Sequence, residues 1–115
     1  MKQSAKIISA FILVFVLCSS AFAALPSITM LSTKTCPACK QMSKVLSTIN
    51  SDYASSIKTS HVYLEDNPDV AKEYNVRYVP MLIFRNAQGK EIAREVGYMP
   101  LEKVLEVFRN AGVNI

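Results

Sequence analysis

The chain has 115 residues, enough for one domain, with 13 basic against 9 acidic residues and a formal net charge of +4. Two of the basic residues, Lys2 and Lys6, sit at the extreme N-terminus. The remaining charges alternate in sign without a basic run, so the charge pattern gives no sign of nucleic-acid binding.

Met1 to Ala23 reads as an export signal. Lys2 and Lys6 make a positive n-region, Ile7 to Leu17 an apolar stretch, and Ala21-Phe22-Ala23 an A-x-A cleavage site. The expected mature domain therefore starts at Ala24 and runs to residue 115, outside the cytoplasm. One alternative is an uncleaved anchor, since Ile7 to Leu25 is nearly long enough to span a bilayer, although Ser9, Ser19 and Ser20 dilute it. Lipid modification at Cys18 is a third option, disfavoured by Leu17, which stands where lipoprotein signals normally carry a small residue.

Ser27 to Ser32 is short and apolar, with a β-branched residue, and reads as a buried strand. After the polar turn Thr33-Lys34-Thr35 comes Cys36, then Pro37, which suits a first helical position because its missing N–H costs nothing there. Met42, Val45, Leu46 and Ile49 then recur at i, i+3, i+4 and i+7, predicting a helix to about Ser51 or beyond. Lys58 to Leu64 has strand composition. Asn67-Pro68 marks a helix start with Asn as the cap, and Asn75 can take the left-handed conformation that ends the helix. Val79 to Phe84 is the most apolar stretch of the mature domain and reads as a central strand. Asn86-Ala87-Gln88-Gly89 turns the chain into Lys90 to Val96, a polar edge strand completing a hairpin. Pro100 opens a last helix whose face is Leu101, Val104, Leu105 and Phe108, closed by Gly112. The order is β-α-β-α-β-β-α, an α/β fold in which an early right-handed crossover gives two parallel strands and the hairpin adds antiparallel ones.

With Cys18 assigned to the signal, Cys36 and Cys39 are the cysteines left to the mature domain. In an oxidising compartment two cysteines commonly form a staple, but a disulfide stabilises by closing a long loop, and this ring closes almost nothing. Zinc ordinarily takes four ligands, whereas the mature domain offers two Cys and His61. A redox pair is therefore the favoured reading, with no metal and no cofactor expected.

A strand, then Cys36-Pro37-Ala38-Cys39 opening a helix, then Val79-Pro80 ahead of a later strand, resembles the thioredoxin family. The stretch LEDNPDVAKEYNVRYVPMLIFRNAQGKEIAREVGY carries most of the likeness, through Asn67-Pro68, Tyr74, Val76-Arg77, Val79-Pro80, the hairpin and Gly97. The resemblance runs through nearly all of Ser27 to Gly112. It implies a three-layer α/β/α sandwich around a mixed four-stranded sheet, trimmed of the family's usual first strand and helix. It also implies that Cys36 is the nucleophilic cysteine and Cys39 the resolving one. Pro80 matches the family's cis-proline facing the pair, with Val79 offering backbone to an extended partner segment, and Gly97 matches the glycine that keeps the groove open. Three positions depart from the family pattern: Thr35 stands for the usual Trp, Met30 for the buried proton-handling Asp, and His61 falls where the family has its buried Lys.

The chemistry follows from position. The amides of Ala38 and Cys39 and the dipole of the helix they open favour the Cys36 thiolate, which is the attacking species, while Cys39 faces into the helix and ionises normally or later. Cys36 attacks a partner disulfide, and Cys39 displaces the partner from the mixed disulfide. Potentials of such proteins span about 150 mV. The dipeptide Pro37-Ala38 brings no His to stabilise the thiolate further, which leans away from a strong oxidase and toward a reductase or thiol carrier. The expected partners are protein disulfides or dithiols and an upstream redox donor, with a membrane-bound donor as one option and the chain itself a monomer. The competing reading is a module that holds a peptide beside Pro80, or a soft metal ion on the two thiols, without turnover.

Overall fold

The computed structural model describes residues 24–115, so the expected export segment, with its anchor and Cys18 alternatives, lies outside the described residues. Strand β1 (Ser27–Ser32) pairs in parallel with β2 (Lys58–Tyr63), Met30 lying opposite His61, and antiparallel with β3 (Met81–Arg85), Met30 lying opposite Leu82. β3 in turn pairs antiparallel with β4 (Glu91–Val96), with an irregularity at Phe84/Arg85. The sheet order is β2-β1-β3-β4. Helices α1 (Pro37–Asp52), α2 (Pro68–Glu73) and α3 (Leu101–Asn110) complete the expected β-α-β-α-β-β-α succession. Among the described residues no helix is long and apolar enough to cross a membrane.

The unbroken apolar run of β3 is explained by its surroundings. An inner strand covered on both faces has no solvent side on which to place polar residues, and Met81, Leu82, Ile83 and Phe84 are all buried. Leu82 and Phe84 join Ile28 and Met30 under α1 and α3, whose buried stripes are Met42, Leu46 and Ile49 and Val104, Leu105 and Phe108. Phe84 and Phe108 meet edge to face, with ring centroids 5.2 Å apart. The opposite face is smaller: Leu31, Met81 and Ile83 packed with Val62, Leu64, Val70, Tyr74 and Val76. These two clusters on either side of one sheet are the three layers. Each fully buried Leu, Ile, Phe or Met contributes about 1.5–3 kcal/mol of transfer free energy.

Four local expectations need adjustment. β2 ends at Tyr63, one residue short of Leu64, which folds under the second cluster while its N–H donates to the Ser32 carbonyl at 2.9 Å. Asn67 occupies the cap position of α2 but accepts nothing there. Its side-chain amide donates backward to the Tyr63 carbonyl at 3.0 Å, so it closes the preceding turn. Pro80 immediately precedes β3, and β4 begins at Glu91, one residue after Lys90, whereas Pro100 opens α3 as expected, from the cap position. As expected, Asn75 is left-handed, at φ 49°. α2 buries no residue outright; the Tyr74 ring at its C-terminal cap has two guanidiniums near it, Arg85 Cζ at 5.8 Å and Arg94 Cζ at 5.2 Å from the ring centroid.

Candidate active site

The site forms where β1 runs out of sheet. Past Ser32 the chain turns through Thr33-Lys34-Thr35, and the loop after β2 ties the turn down. The Lys34 N–H donates to the Glu65 carboxylate at 2.8 Å, and the Lys34 ammonium sits 3.0 Å from Asp66. The hydrogen bond and then the charge of Asp66 hold Lys34 above its ordinary value. This lysine, which flanks the cysteine motif, is therefore engaged with Asp66.

Cys36 then caps α1 in extended geometry (φ −90°, ψ 113°), and Pro37 takes the first helical turn. The cap acceptor is the sulfur itself: the Cys39 N–H donates to Cys36 Sγ at 3.1 Å. Of the two amides expected there, Cys39 makes the bond and Ala38 does not, because a cap side chain reaches the third helical residue as readily as the second. The Lys40 N–H closes the first helical turn on the Cys36 carbonyl at 3.2 Å. The two cysteines are joined as a disulfide with Cα atoms 5.2 Å apart. They are not equivalent, since Cys36 is half-buried and Cys39, on the inner side of α1, is only 3% exposed.

Val79-Pro80 lies against this pair. The Val79–Pro80 peptide is cis, and the Val79 carbonyl is 3.9 Å from Cys36 Sγ. The buried Pro80 accepts the Gly97 N–H at 2.8 Å, which extends the β3–β4 pairing one step beyond Met81–Val96. Gly97 has φ 99°, and a Cβ added there would meet nothing within 4 Å. Its glycine is thus required by backbone conformation rather than by crowding. Gly97→Ala is expected to lower stability by about 1–2 kcal/mol, the cost of placing a side chain in left-handed backbone, read as a lower urea midpoint at unchanged slope. Tyr78, Val96 and Tyr98 are 72%, 52% and 47% exposed, leaving apolar surface on the residues flanking Val79-Pro80 and Gly97.

The structure thus brings Cys36, Pro37, Ala38, Cys39, Val79, Pro80 and Gly97 to one end of the sheet. Met30, where a resembling protein would carry its acid, is fully buried in the main core. His61 is largely exposed, and partial desolvation pushes its imidazole below the ordinary value. Among the described residues no three His, Cys, Asp or Glu side chains gather as a metal site would require. One residue escaped the sequence reading. Ser32, the last residue of an apolar strand, is completely buried, and its hydroxyl is hydrogen-bonded to His61 Nε2. The available signal was a hydroxyl in an otherwise apolar run, one short turn ahead of the cysteines.

Comparison with known proteins agrees with this geometry. The family model described as a thioredoxin-like domain matches residues 23–112. A thioredoxin of Porphyra purpurea is 34% identical over 77 residues, covering 64% of this chain and 70% of that one. Thioredoxin C-2 of Corynebacterium nephridii is 33% identical over 70 residues, covering 60% and 63%. Among solved structures, a thioredoxin-like protein from Clostridium perfringens superposes with a TM-score of 0.68 at 28% identity, covering 82% of this chain and 76% of that one.

Proposed function

The chain belongs to the thioredoxin-like family, and from that premise we propose that it works outside the cytoplasm as a disulfide reductase or thiol carrier, with Cys36 attacking and Cys39 resolving. Thiol–disulfide oxidoreduction itself follows from the thioredoxin relatives together with the Cys36–Cys39 pair. The observation that carries the division of labour is the inequality of the two sulfurs. Cys36 Sγ is half-buried and accepts an amide at a helix N-terminus, where a thiolate is favoured, whereas Cys39 is enclosed.

In the reducing direction the Cys36 thiolate attacks one sulfur of a partner disulfide. The partner's other sulfur leaves as a thiolate and takes a proton from solvent. The Cys39 thiolate then attacks Cys36 Sγ, the mixed disulfide breaks, and the second partner sulfur departs. The partner gains two electrons and two protons, and the Cys36–Cys39 pair loses them. An upstream donor, for which a membrane electron carrier is the proposed source, restores the dithiol. The export-like segment Met1 to Ala23 supports the location, and the absence of a His between the cysteines supports the reducing direction. Partner segments are proposed to lie along Val79 and Gly97 beside the exposed Tyr78 and Tyr98, and the chain is proposed to act as a monomer.

Equilibration with glutathione redox buffers tests the direction. A potential nearer the thioredoxin value of about −270 mV than the strong-oxidant value of about −120 mV is expected, and a value at the oxidant end overturns the reductase reading. The inequality of the sulfurs has its own readout. In the reduced protein at pH 6, iodoacetamide is expected to label Cys36 well ahead of Cys39, as mass spectrometry of timed quenches would show, and equal rates would refute the assignment. The N-terminal mass of the exported protein checks the expected start at Ala24.

A further inference from the structure

Beside Cys39 lies a small cavity of about 60 Å³, walled by the first turns of α1, the turn after β1 and the ends of β1 and β2. Its walls include Cys39, Ser32 and His61, with Lys34, Lys40 and Tyr63 around them. A water needs about 10–15 Å³ of such space and two to four polar partners, so the cavity has room and partners for ordered water. Ser32 is 0% exposed, and a hydroxyl so placed is expensive unless bonded; its partner is His61 Nε2. The parallel register that sets Met30 opposite His61 turns both side chains to the α1 face, which Ser32 shares by alternation along β1. On its other side His61 borders an open cleft between α1 and β2, lined also by Ser43, Ser47 and Asn50. The ring therefore lies between a pocket that reaches the enclosed sulfur and a cleft that reaches bulk solvent.

We propose that Ser32 and His61 form a proton relay that serves Cys39, with His61 as the base and Ser32 as the residue that positions it. The inference rests on Cys39 being the resolving thiol. In the mixed disulfide, Cys39 must lose its proton before it can attack. The proton passes from Cys39 Sγ through cavity water and the Ser32 hydroxyl to His61 Nε2. The Cys39 thiolate then bonds to Cys36 Sγ, the bond from Cys36 to the partner sulfur breaks, and the partner leaves as a thiolate that takes a proton from solvent. The imidazolium releases its proton into the α1/β2 cleft. When the pair is reduced again, the same path returns a proton to Cys39.

The charges around the ring suit this role. Facing His61 are Tyr63 on its own strand, with ring centroids 4.3 Å apart, Lys34 from the turn after β1, and Lys40 and Cys39 from α1. The Lys34 charge is already paired with Asp66, and no carboxylate lines the cavity to hold the imidazole protonated. Desolvation acts the same way, keeping the ring neutral and able to accept. The relay takes the Ser32 O–H as donor to Nε2, which places the ring's own proton on Nδ1.

The test is stopped-flow reaction of the reduced protein with 5,5′-dithiobis(2-nitrobenzoate). Thionitrobenzoate leaves once as Cys36 is loaded, at a rate proportional to reagent, and again as Cys39 displaces it, at a rate independent of reagent. The second phase in the natural protein is expected to rise with pH through an inflection below the ordinary imidazole value. In His61→Gln that inflection disappears and the phase slows about 100-fold at pH 7, the low end of general-base assistance. Ser32→Ala is expected to slow it in the same direction while the loading phase stays unchanged. A His61→Gln profile that keeps the inflection and the rate overturns the relay. Absence of any second phase in the natural protein refutes the assignment of Cys39 itself and so is distinguishable from failure of the relay. Should His61→Gln not fold, NMR of the natural reduced protein decides: the His61 ring resonance shifts again as Cys39 ionises and loses that second shift in Cys39→Ser, and a single His61 titration identical in both overturns the proposal.

Discussion

Cys36→Ser is expected to reduce insulin-disulfide turnover to the uncatalysed background, and Cys39→Ser to stop turnover while accumulating covalent partner complexes. The asymmetry follows from the geometry at the mouth of α1. A serine at position 36 retains the cap, because its oxygen can accept the Cys39 N–H that the sulfur accepts now at 3.1 Å. The fold should therefore survive, and the loss is chemical: an alcohol is not ionised near neutrality and does not attack disulfide sulfur. Position 39 is enclosed and lies behind the first sulfur, so Cys39→Ser leaves attack intact and removes only the displacement that frees the partner. Non-reducing gels of the two variants expressed in their native host, with and without dithiothreitol, separate the outcomes. Covalent complexes trapped by Cys36→Ser at the level of Cys39→Ser would reverse the roles.

The largest effect on stability is expected at Phe84. Phe84→Ala removes a ring that is 0% exposed, lies opposite Ile28 in the β1–β3 register, and meets the Phe108 ring edge to face under α3. Truncations of this kind cost about 3–5 kcal/mol, the transfer free energy of the ring plus the cavity left behind. Domains of this size have roughly 5–15 kcal/mol in all, so the variant would lose a large share. Urea unfolding of the two proteins measures it. Tyr78→Ala, at a side chain 72% exposed, is the matched control and should change stability by no more than about 0.5 kcal/mol. A Phe84→Ala protein as stable as that control would mean the main cluster is not the core that holds the sheet.

The parts legible in the sequence were those where one physical demand dominates. The unbroken run Met81 to Phe84 required a strand buried on both faces, and β3 is that strand. The spacing of Met42, Leu46 and Ile49 required a helix with one buried stripe. The pairing of Cys36 with Cys39 followed from their separation once Cys18 was assigned to the export segment, and from the family resemblance. What stayed hidden depended on where side chains turn in three dimensions. Asn67 has the composition of a cap, yet its amide serves the turn behind it. Ala38 and Cys39 looked equivalent as donors until the helix geometry chose Cys39. The cis Val79–Pro80 bond rested on the family resemblance, because composition alone favours trans. Ser32 passed as one more strand residue because its meaning depends on His61, far along the chain and adjacent only through the β1–β2 register.

The outer margins of the sheet have a consequence of their own. β4 presents Glu91, Arg94 and Glu95 to water, with Arg94 and Glu91 clasped at 2.8 Å, and β2 presents Lys58, Ser60 and His61. Copies meeting margin to margin would have to strip water from these charges before their backbones could zip together, a device by which natural sheets resist fibril growth. At high concentration the protein should therefore stay dispersed rather than template its own aggregation.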